Sequence, residues 1–506
     1  GSPKLERFKK AILQAAKEHH DPWEKHQIDK VPAERVRRHR YLPESGKWVV
    51  DESLVKIQPE PFDHGSMRIV FRMKKISQVQ LTAWNKVAWS SAPNYVAKRY
   101  KADAETGSEV NREHYFEDIQ LQYEASKWAD VYNAEDPPKK IKVIQCYVIE
   151  FFERPGSPVF GCERFVDGHD KHGAGFVKHN SNSGFVEDME ARMTPQTFSA
   201  HSFYRSSGTR MVVDVQGVGD LYTDPQVHSI DCRFGDGDLG HRGMALFFGT
   251  FYRSSLCEFF KLPVFVLSEK QRARLKPPKT EAVQDAGGYL EAHEAQSMKQ
   301  QENRLNRRKA WLAEKFQNSC SFSILTPEKQ MASFRSPSKA DLAGAAAEDD
   351  GESTAAFALS PEDQREIKRA LEECEGHAID EISSLTAADK TRSPDDVMQR
   401  SELDINVALL HFELSLLEAS GRFSEDLFDP VPDLSSCAFQ LCQASMRGNT
   451  AAALALGRLR NGLSTAVITV ADVVVPQNAE SAKLFLQLAA LRGSLSAACL
   501  AAKLLH

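Results

Sequence analysis

The sequence lacks a membrane-spanning run, a strong excess of one charge and a disulfide framework. No apolar stretch approaches the roughly 20 residues that a membrane helix needs, and AVITVADVVV (466–475) is short and contains an Asp. The net charge of −6 gives no overall attraction for nucleic acid or acidic membranes. Nine cysteines, an odd number, are scattered without a disulfide pattern and no secretory signal is visible. A cytoplasmic protein with reduced thiols and no direct nucleic-acid or membrane partner is expected.

The length and local composition predict several domains. A chain of 506 residues is too long for one core. Residues 1–40 are basic and helix-prone, and 41–262 alternate β-rich runs with a helix near 116–132, as in an α+β domain. Residues 263–360 begin as a charged helical stretch and end as a Ser-, Ala- and acid-rich linker, predicted to be disordered. Residues 361–506 are uniformly helical.

An internal repeat marks the end of the chain. CAFQLCQASMRGNTAAALALG (437–457) aligns with AKLFLQLAALRGSLSAACLAA (482–502), and both have an Arg-Gly pair near the centre. Each unit predicts helix, turn and small-residue helix, so a stacked array of Sel1-like repeats that binds proteins is expected. Unrelated amphipathic helices in one bundle are the alternative.

The segment DVQGVGDLYTDP (214–225) is rich in oxygen ligands. Asp214 and Gln216 lie two apart at the end of an apolar strand, so both side chains point to one side. Asp224 lies beyond a Gly-rich turn that can bring it back beside them. Carboxylate and amide oxygens suit Mg²⁺. An acidic surface hairpin is the alternative interpretation.

A glycine-rich segment, FGDGDLG, follows at 234–240. Its G-x-G-x-x-G spacing, at Gly235, Gly237 and Gly240, does not open a βαβ unit, so it does not indicate a dinucleotide fold. A loop that brings backbone amides toward an anion fits the same residues.

Basic residues on two predicted strands complete the pattern. Lys98 lies on the predicted strand NYVAKRY, and Arg68 lies on the predicted strand MRIVFR. Glu124, on the predicted helix, is a candidate partner for Lys98, since kinases hold a phosphate-contacting lysine in this way. Phosphoryl transfer needs all of these parts, although a strand lysine that extends to solvent is the simpler alternative for Lys98.

Five ordered motifs resemble the atypical alpha-kinase family. They are PFDHGSMR, NYVAKRY, NSNSGF, DVQGVGDLYTDP and GDGDLGHRGMALFF. The resemblance implies a two-lobed α+β kinase domain that transfers the γ-phosphoryl group of ATP to a protein Ser or Thr, usually Thr. DPW…ERVRRHRY and the C-terminal repeats resemble the calcium/calmodulin-dependent branch that acts on elongation factor 2. The resemblance also implies that the protein is a monomer.

The resemblance implies a role for each site residue. Asp214 would orient the substrate hydroxyl, and Gln216 and Asp224 would bind magnesium. The implied nucleotide contacts are Lys98 and Arg68 at the phosphates, Glu163 at the adenine, Phe165 beside it, Glu124 behind Lys98, and the glycines Gly235, Gly237 and Gly240.

The family's structural zinc site is incomplete in this sequence. His201 and Cys257 match two of the four ligands, but Phe251 and Arg253 stand at the other two. Two protein ligands cannot make a closed tetrahedral site. Cys232 is a conceivable substitute, yet we expect no zinc and expect Phe251 to pack in the core instead.

Regulatory features are also implied by the resemblance. Leu5, Phe8 and Ile12 share one face of a basic helix that suits a calmodulin groove; a helix packed on its own domain explains the same periodicity. RLNRRKAWLAEKF (304–316), with Trp311, is a competing calmodulin segment. Lys139, Arg192 and Thr194 match a pocket for a phosphorylated linker residue, for which Thr326 and Ser336 are candidates.

Three functions are compatible with these features. The first is a calmodulin-responsive alpha-kinase acting on elongation factor 2, with repeats that recruit substrate. The second is a pseudokinase scaffold, favoured by the broken zinc quartet. The third, a metal-dependent hydrolase, leaves Lys98, Arg68 and the glycine segment without a purpose.

Overall fold

The computed structural model describes residues 21–64, 68–77, 89–101, 111–166, 175–186, 192–275, 359–387, 400–424, 430–465 and 475–505. The chain divides into two compact units. The first comprises residues up to Lys178 together with Val215–Gln226, and the second comprises His179–Asp214 with Val227 onward. No helix in the described ranges is long and apolar enough to cross a membrane.

The first unit is built on a closed β-barrel. Its strands are β1 (Glu34–Leu42), β2 (Lys47–Ile57), β3 (Asp63–His64), β4 (Arg68–Ser77), β5 (Asn94–Tyr100), β7 (Cys146–Glu150) and β8 (Val159–Arg164), while β6 (Lys142–Val143) belongs to a smaller sheet. The order is β2-β1-β7-β8-β5-β4-β3, and β2 also pairs with β4. Six strands therefore form a ring, and β3 is a short addition to β4.

Alternate residues fill the barrel. Val36, Val55, Met73, Ala97 and Ile149 are fully buried in one cluster. Their period of two along each strand is the expected pattern for a surface whose other face lies outside. All five residues of β7 are buried, which explains the apolar run Cys146–Ile149 that precedes Glu150.

One long helix, α1 (Arg112–Ala134), covers the outer face of β7 and β8. It begins at Asn111, whose side chain accepts a hydrogen bond from the backbone N–H of Glu113. Tyr115 and Ile119 pack against Cys146, Val148 and Val159. The predicted helix near 116–132 is confirmed.

A small second sheet carries the oxygen-rich segment. It has the order β6-β12-β11-β9, with β9 at Phe176–Lys178, β11 at Gln216–Val218 and β12 at Leu221–Thr223. Gly217 pairs with Tyr222 in the tight β11–β12 hairpin. A Cβ on Gly217 would lie 2.1 Å from the Leu221 carbonyl oxygen, so only glycine fits there.

The second unit is mainly helical. Two strands, β10 (Arg210–Val213) and β13 (Gln226–Ser229), form a two-stranded sheet. Its helices are α2 (Met193–Arg205), α3 (Gly240–Phe248), α4 (Ser255–Phe259), α5 (Glu269–Arg274), α6 (Pro361–Ala387), α7 (Glu402–Ala419), α8 (Leu434–Met446), α9 (Thr450–Arg460), α10 (Ala479–Leu491) and α11 (Leu495–Leu505).

The internal repeat folds as two helical hairpins, α8–α9 and α10–α11. Gly448 and Gly493, in the two Arg-Gly turns, both have a φ of 97°, a conformation that favours glycine. Arg492 bonds the buried carboxylate of Glu381 on α6. The helix–turn–helix prediction is confirmed, whereas the Sel1-like assignment stays a prediction.

Residues 263–275, which open the charged helical stretch predicted above, are packed in the second unit. On α5, the Gln271 amide donates to Glu418 at 2.8 Å, and the Arg274 guanidinium bonds the same carboxylate. Ser268 caps α5 and contacts Ser436 at 2.8 Å. Packing against this unit therefore continues past the predicted boundary at 262, because polar groups on and beside α5 are bonded to α7 and α8.

Candidate active site

Lys98 is the centre of a charged cluster in the first unit. Its ammonium lies 2.5 Å from Asp224 Oδ2 and 2.7 Å from Glu163 Oε1. The residue is only 9% exposed, so the simple alternative of a lysine extending to solvent does not hold. Burial lowers the pKa of Lys98, but the charges of Asp224 and Glu163 outweigh burial and raise it.

Arg68 and Asp118 form a second pair beside the first. Arg68 Nη1 lies 3.3 Å from Asp118 and 3.7 Å from Asp224. The Tyr100 hydroxyl donates to Asp118 Oδ2 at 2.7 Å, and the Arg68 guanidinium lies over the Tyr100 ring. Two cations and three carboxylates, with Glu163 included, are thus linked within one unit.

Asp224 stays ionised in this cluster. Burial raises the pKa of its carboxyl group, but Lys98 and Arg68 lower it to about 2. The pKa of Asp118 is raised, chiefly by burial, although Arg68 and the Tyr100 hydroxyl oppose the shift. Asp224 therefore supplies a charged ligand near neutral pH.

The β11–β12 hairpin holds Gln216 next to Asp224. Gln216 pairs in register with Thr223, and its amide Nε2 donates to the Asp224 carbonyl oxygen at 3.2 Å. Asp224 has a left-handed φ of 48°, an uncommon conformation for a residue other than glycine. The hairpin therefore brings together the two predicted magnesium ligands.

Asp214 directly follows β10 in the second unit. It follows four buried residues, Arg210–Val213, and has a φ of 57°. As at Asp224, this left-handed backbone indicates a constrained position.

The glycine segment is fixed by Asp238 and His228 in the second unit. Asp238 accepts hydrogen bonds from the backbone N–H of Ser229 and of Gly240. The Leu239 N–H donates to His228 Nδ1, so His228 Nε2 carries the proton and donates to the Asn182 carbonyl oxygen at 3.0 Å. Burial lowers the pKa of His228 to about 4, against the opposing effect of Asp238. Gly235 and Gly240 have positive φ, as a sharp turn requires.

One of the implied nucleotide contacts differs from the expectation. Glu124 does not pair with Lys98; it accepts a hydrogen bond from Trp128 Nε1, and Asp118 on the same helix contributes to the cluster instead. The carboxylate of Glu163 contacts Lys98 and the Thr223 hydroxyl, and its implied contact with the adenine stays a prediction. Phe165 packs on Trp23, with ring centroids 4.4 Å apart.

The four positions that match the zinc site make aromatic and polar contacts within the protein. Phe251 stacks on Phe247 at 5.0 Å, and the expectation that it packs in the core is confirmed. The His201 ring lies against Phe260, and Cys257 lies 3.7 Å from the Thr197 hydroxyl. Within the described ranges no group of three or more His, Cys, Asp or Glu side chains could hold a metal ion; Arg253 instead donates to the Pro263 carbonyl oxygen.

Several predicted regulatory residues lie outside the described part of the chain. They are Leu5, Phe8, Ile12, Trp311, Thr326 and Ser336. Of the predicted phosphate pocket, Lys139 is exposed in the first unit, while Arg192 and Thr194 lie at the start of α2 in the second. The pocket itself stays a prediction.

Comparison with known proteins supports the family resemblance. The alpha-kinase family profile matches residues 63–257. Residues 63–257 form an alpha-kinase family domain. The profile begins in β3 and ends in α4, so it includes both the charged cluster and the glycine segment.

The alpha-kinase domain has relatives in several organisms. The chain is 44% identical to human eukaryotic elongation factor 2 kinase over 264 residues, 52% of this chain and 34% of that protein. It is 42% identical to the Caenorhabditis elegans eukaryotic elongation factor 2 kinase, over 56% of this chain and 33% of that protein. The chain thus spans about a third of the length of these relatives.

A solved alpha-kinase domain is also similar to this one. The alpha-kinase domain of myosin heavy chain kinase A, crystallised with AMP, is 29% identical and matches over 46% of this chain and 100% of that one, with a TM-score of 0.39. Crystals of the same domain also contain AMP-PNP or ADP.

Proposed function

We propose that the chain is an ATP-dependent protein kinase that transfers a phosphoryl group to a Ser or Thr, most often Thr, of elongation factor 2. The single observation that carries the proposal is the cluster in which Lys98 bridges Asp224 and Glu163 beside Arg68. An enzyme that binds a triphosphate needs cations at fixed positions together with ionised carboxylates. The similarity to human eukaryotic elongation factor 2 kinase supports the choice of elongation factor 2 as substrate.

Each residue has a chemical task in this proposal. Lys98 and Arg68 neutralise phosphate oxygens and orient the nucleotide. Glu163 and Asp118 hold these two cations in place. Asp214 accepts a hydrogen bond from the substrate hydroxyl and holds its proton as the phosphoryl group is transferred.

Magnesium fits the donor set at the β11–β12 hairpin. Asp224 supplies a carboxylate with a low pKa, and the backbone contact of Gln216 keeps its amide group beside Asp224. Oxygen ligands of this type suit Mg²⁺. When bound, the ion neutralises charge on the β- and γ-phosphates.

Regulation and recruitment belong to the same proposal. Calcium-bound calmodulin would bind the basic N-terminal segment, and autophosphorylation would act through the linker. The helical repeats would recruit the substrate, and we expect a cytoplasmic monomer. The support is the resemblance in sequence to the calmodulin-dependent branch, together with the observed helical hairpins.

A transfer assay with radiolabelled γ-phosphate tests the proposal. We expect phosphorylation of elongation factor 2 that is stimulated by calcium/calmodulin and reduced at least 100-fold by Asp214→Asn, because removal of a positioned proton acceptor typically costs 10²–10⁴-fold. Asp220→Asn, which removes a charge from the adjoining turn, is the matched control and should retain activity.

A binding measurement distinguishes the alternative, a pseudokinase scaffold, from an active kinase. Nucleotide binding by calorimetry without any Asp214-dependent transfer would favour the scaffold. This alternative is supported by Phe251 and Arg253, which replace two of the four zinc ligands of the family.

A further inference from the structure

One end of the β-barrel holds a group of cations that the active site does not use. Arg38 and Arg40 alternate with the buried Val36 on β1, so they share its inward face. Lys75 follows Met73 on β4 with the same spacing and pairs in register with Val55. We call Arg38, Arg40, Asp51 and Lys75 the barrel-end cluster.

The barrel-end cluster is separate from the nucleotide cluster. Tyr95 and Ala97 pack with the barrel interior, and Lys98 alternates with Ala97, so it faces outward. The barrel-end cluster lies near Asn94, where β5 begins, while Arg68 pairs with Tyr100, where β5 ends.

Its charges are unbalanced. The Asp51 carboxylate pairs with both guanidinium groups, with Arg38 at 2.6 and 2.7 Å and with Arg40 at 3.0 Å. These contacts use the Nε and Nη2 atoms, and within the described residues Nη1 of neither arginine has a hydrogen bond. With one carboxylate against three cations, the cluster has an excess of two positive charges.

Lys75 contributes a buried cation without a carboxylate partner. The residue is 5% exposed, and its ammonium lies 5.0 Å from the ring centres of both Tyr95 and Tyr147. In the part of the chain that the structure describes, it makes no ion pair. Burial, reinforced by Arg38, lowers the pKa of Lys75 to about 8. Cation–π contacts offset only a part of the cost of burying an ammonium.

A neighbouring hydroxyl also favours an anion. The Ser53 hydroxyl, buried on the same inward face of β2, has no hydrogen-bond partner within the described ranges. Its residue lies two positions from Val55, the register partner of Lys75.

We propose that the barrel-end cluster is a second anion site, which binds a phosphate monoester or free phosphate between Lys75, Arg38 and Arg40. Guanidinium N–H groups and an ammonium together match the tetrahedral oxygens of phosphate. A bound dianion balances the two excess positive charges. This site would be distinct from the nucleotide phosphates at Lys98 and would exist whether or not the chain is an active kinase.

Calorimetric titration of the full chain with inorganic phosphate, and separately with O-phosphoserine, tests the site at constant ionic strength. We expect saturable binding that Lys75→Met weakens at least 10-fold and Arg40→Gln weakens several-fold. Arg37→Gln is the matched control, because it removes a positive charge from the outer face of the same strand and should change nothing. Lys98→Met, which disables the nucleotide cluster, should leave this binding intact.

Three results overturn the proposal. Absence of saturable binding, or equal binding by wild type and Lys75→Met, shows that the cluster is only structural. Loss in Lys98→Met but not in Lys75→Met assigns the phosphate to the nucleotide cluster. Binding of O-phosphoserine but not of inorganic phosphate supports the site and identifies its ligand as a phosphorylated side chain. Thermal unfolding shows that each variant is folded; Lys75→Met should not be less stable, since it removes a buried charge.

Discussion

Asp118 and Glu124 lie six residues apart on α1, yet only Asp118 reaches the charged cluster. Tyr115 and Ile119 press one side of the helix against β7 and β8, and this packing sets the rotation that places Asp118 beside Arg68. Glu124 lies against Trp128 instead. The contribution of Asp118 is to hold Arg68 in position.

The first prediction separates these two acids. Asp118→Asn removes the charge that holds Arg68, and we expect kcat/KM for ATP to fall about 10- to 100-fold, the scale of a hydrogen bond to a charged group. Glu124→Gln, on the same helix, should stay within about threefold of wild type. Steady-state kinetics with ATP as the varied substrate measure both. Equal losses in the two variants would mean that α1 acts only through its stability.

At this scale, strand residues were easier to predict than the helix residue. Lys98, Arg68 and Asp224 were identified by their type and by the motifs around them, and they meet. Asp118 was missed because helical periodicity does not reveal which face meets the sheet. The motifs identified Glu163 as a site residue but did not predict its hydrogen bond with the Thr223 hydroxyl, because the two residues are sixty positions apart in the sequence.

Among the elements, helix α3 and the glycine segment are joined through His228. The α3 residue Gly243 lies against the His228 ring, where a Cβ would come within 2.3 Å of Nε2. That ring in turn accepts a hydrogen bond from the Leu239 N–H and donates one to the Asn182 carbonyl oxygen. The requirement for glycine at 243 is therefore one of space, not of backbone conformation.

The second prediction concerns Gly243→Ala. Alanine normally stabilises a helix relative to glycine, but here we expect a loss of about 1 to 3 kcal/mol, as for overpacked sites, together with lower transfer activity. Urea unfolding measures the loss. In a His228→Ala background the ring is absent, so the same substitution should cost much less. Additive effects in this double-mutant cycle would contradict the steric explanation.

Element types were largely predictable, and their arrangement was not. Apolar alternation indicated the strands, and the aligned repeats indicated two helical hairpins. The β2–β4 pairing that closes the barrel has no local signature, because a non-local strand pairing depends on the whole sheet. For the same reason the barrel-end cluster, assembled from three strands, was invisible in the sequence.

In the whole molecule, the second unit combines the glycine segment with the helical array. The contact between Glu269 N–H and Glu366, at 2.8 Å, joins α5 to α6 across residues 276–358. Composition correctly distinguished the helical C-terminal region from the β-rich part, but it did not predict that α5 would pack on that region. The polar groups that join them resemble ordinary surface residues in sequence.

A buried histidine in this unit makes its stability depend on pH. His411 on α7 stacks on Phe265, with ring centroids 4.2 Å apart, and its Nδ1–H donates to Gln440 Oε1 at 2.5 Å. Burial, together with the charge of Arg447, lowers the pKa of His411 to about 3, although Gln440 opposes the shift. The neutral ring is thus the form that the fold accommodates.

The third prediction follows from the sign of that shift. The unfolded chain binds a proton at His411 near pH 6.5 and the folded chain does not, so the stabilising contribution is complete above pH 6.5 and is lost as the pH falls toward 3. The loss is about 1.4 kcal/mol for each pH unit.

Between pH 7 and pH 5, wild type should therefore lose about 2 kcal/mol more unfolding free energy than His411→Gln, which keeps a donor for Gln440 but does not titrate. Urea unfolding of both proteins at the two pH values measures the difference, and groups common to both, His228 among them, cancel. Identical pH dependence in the two proteins would show that His411 is able to ionise within the fold.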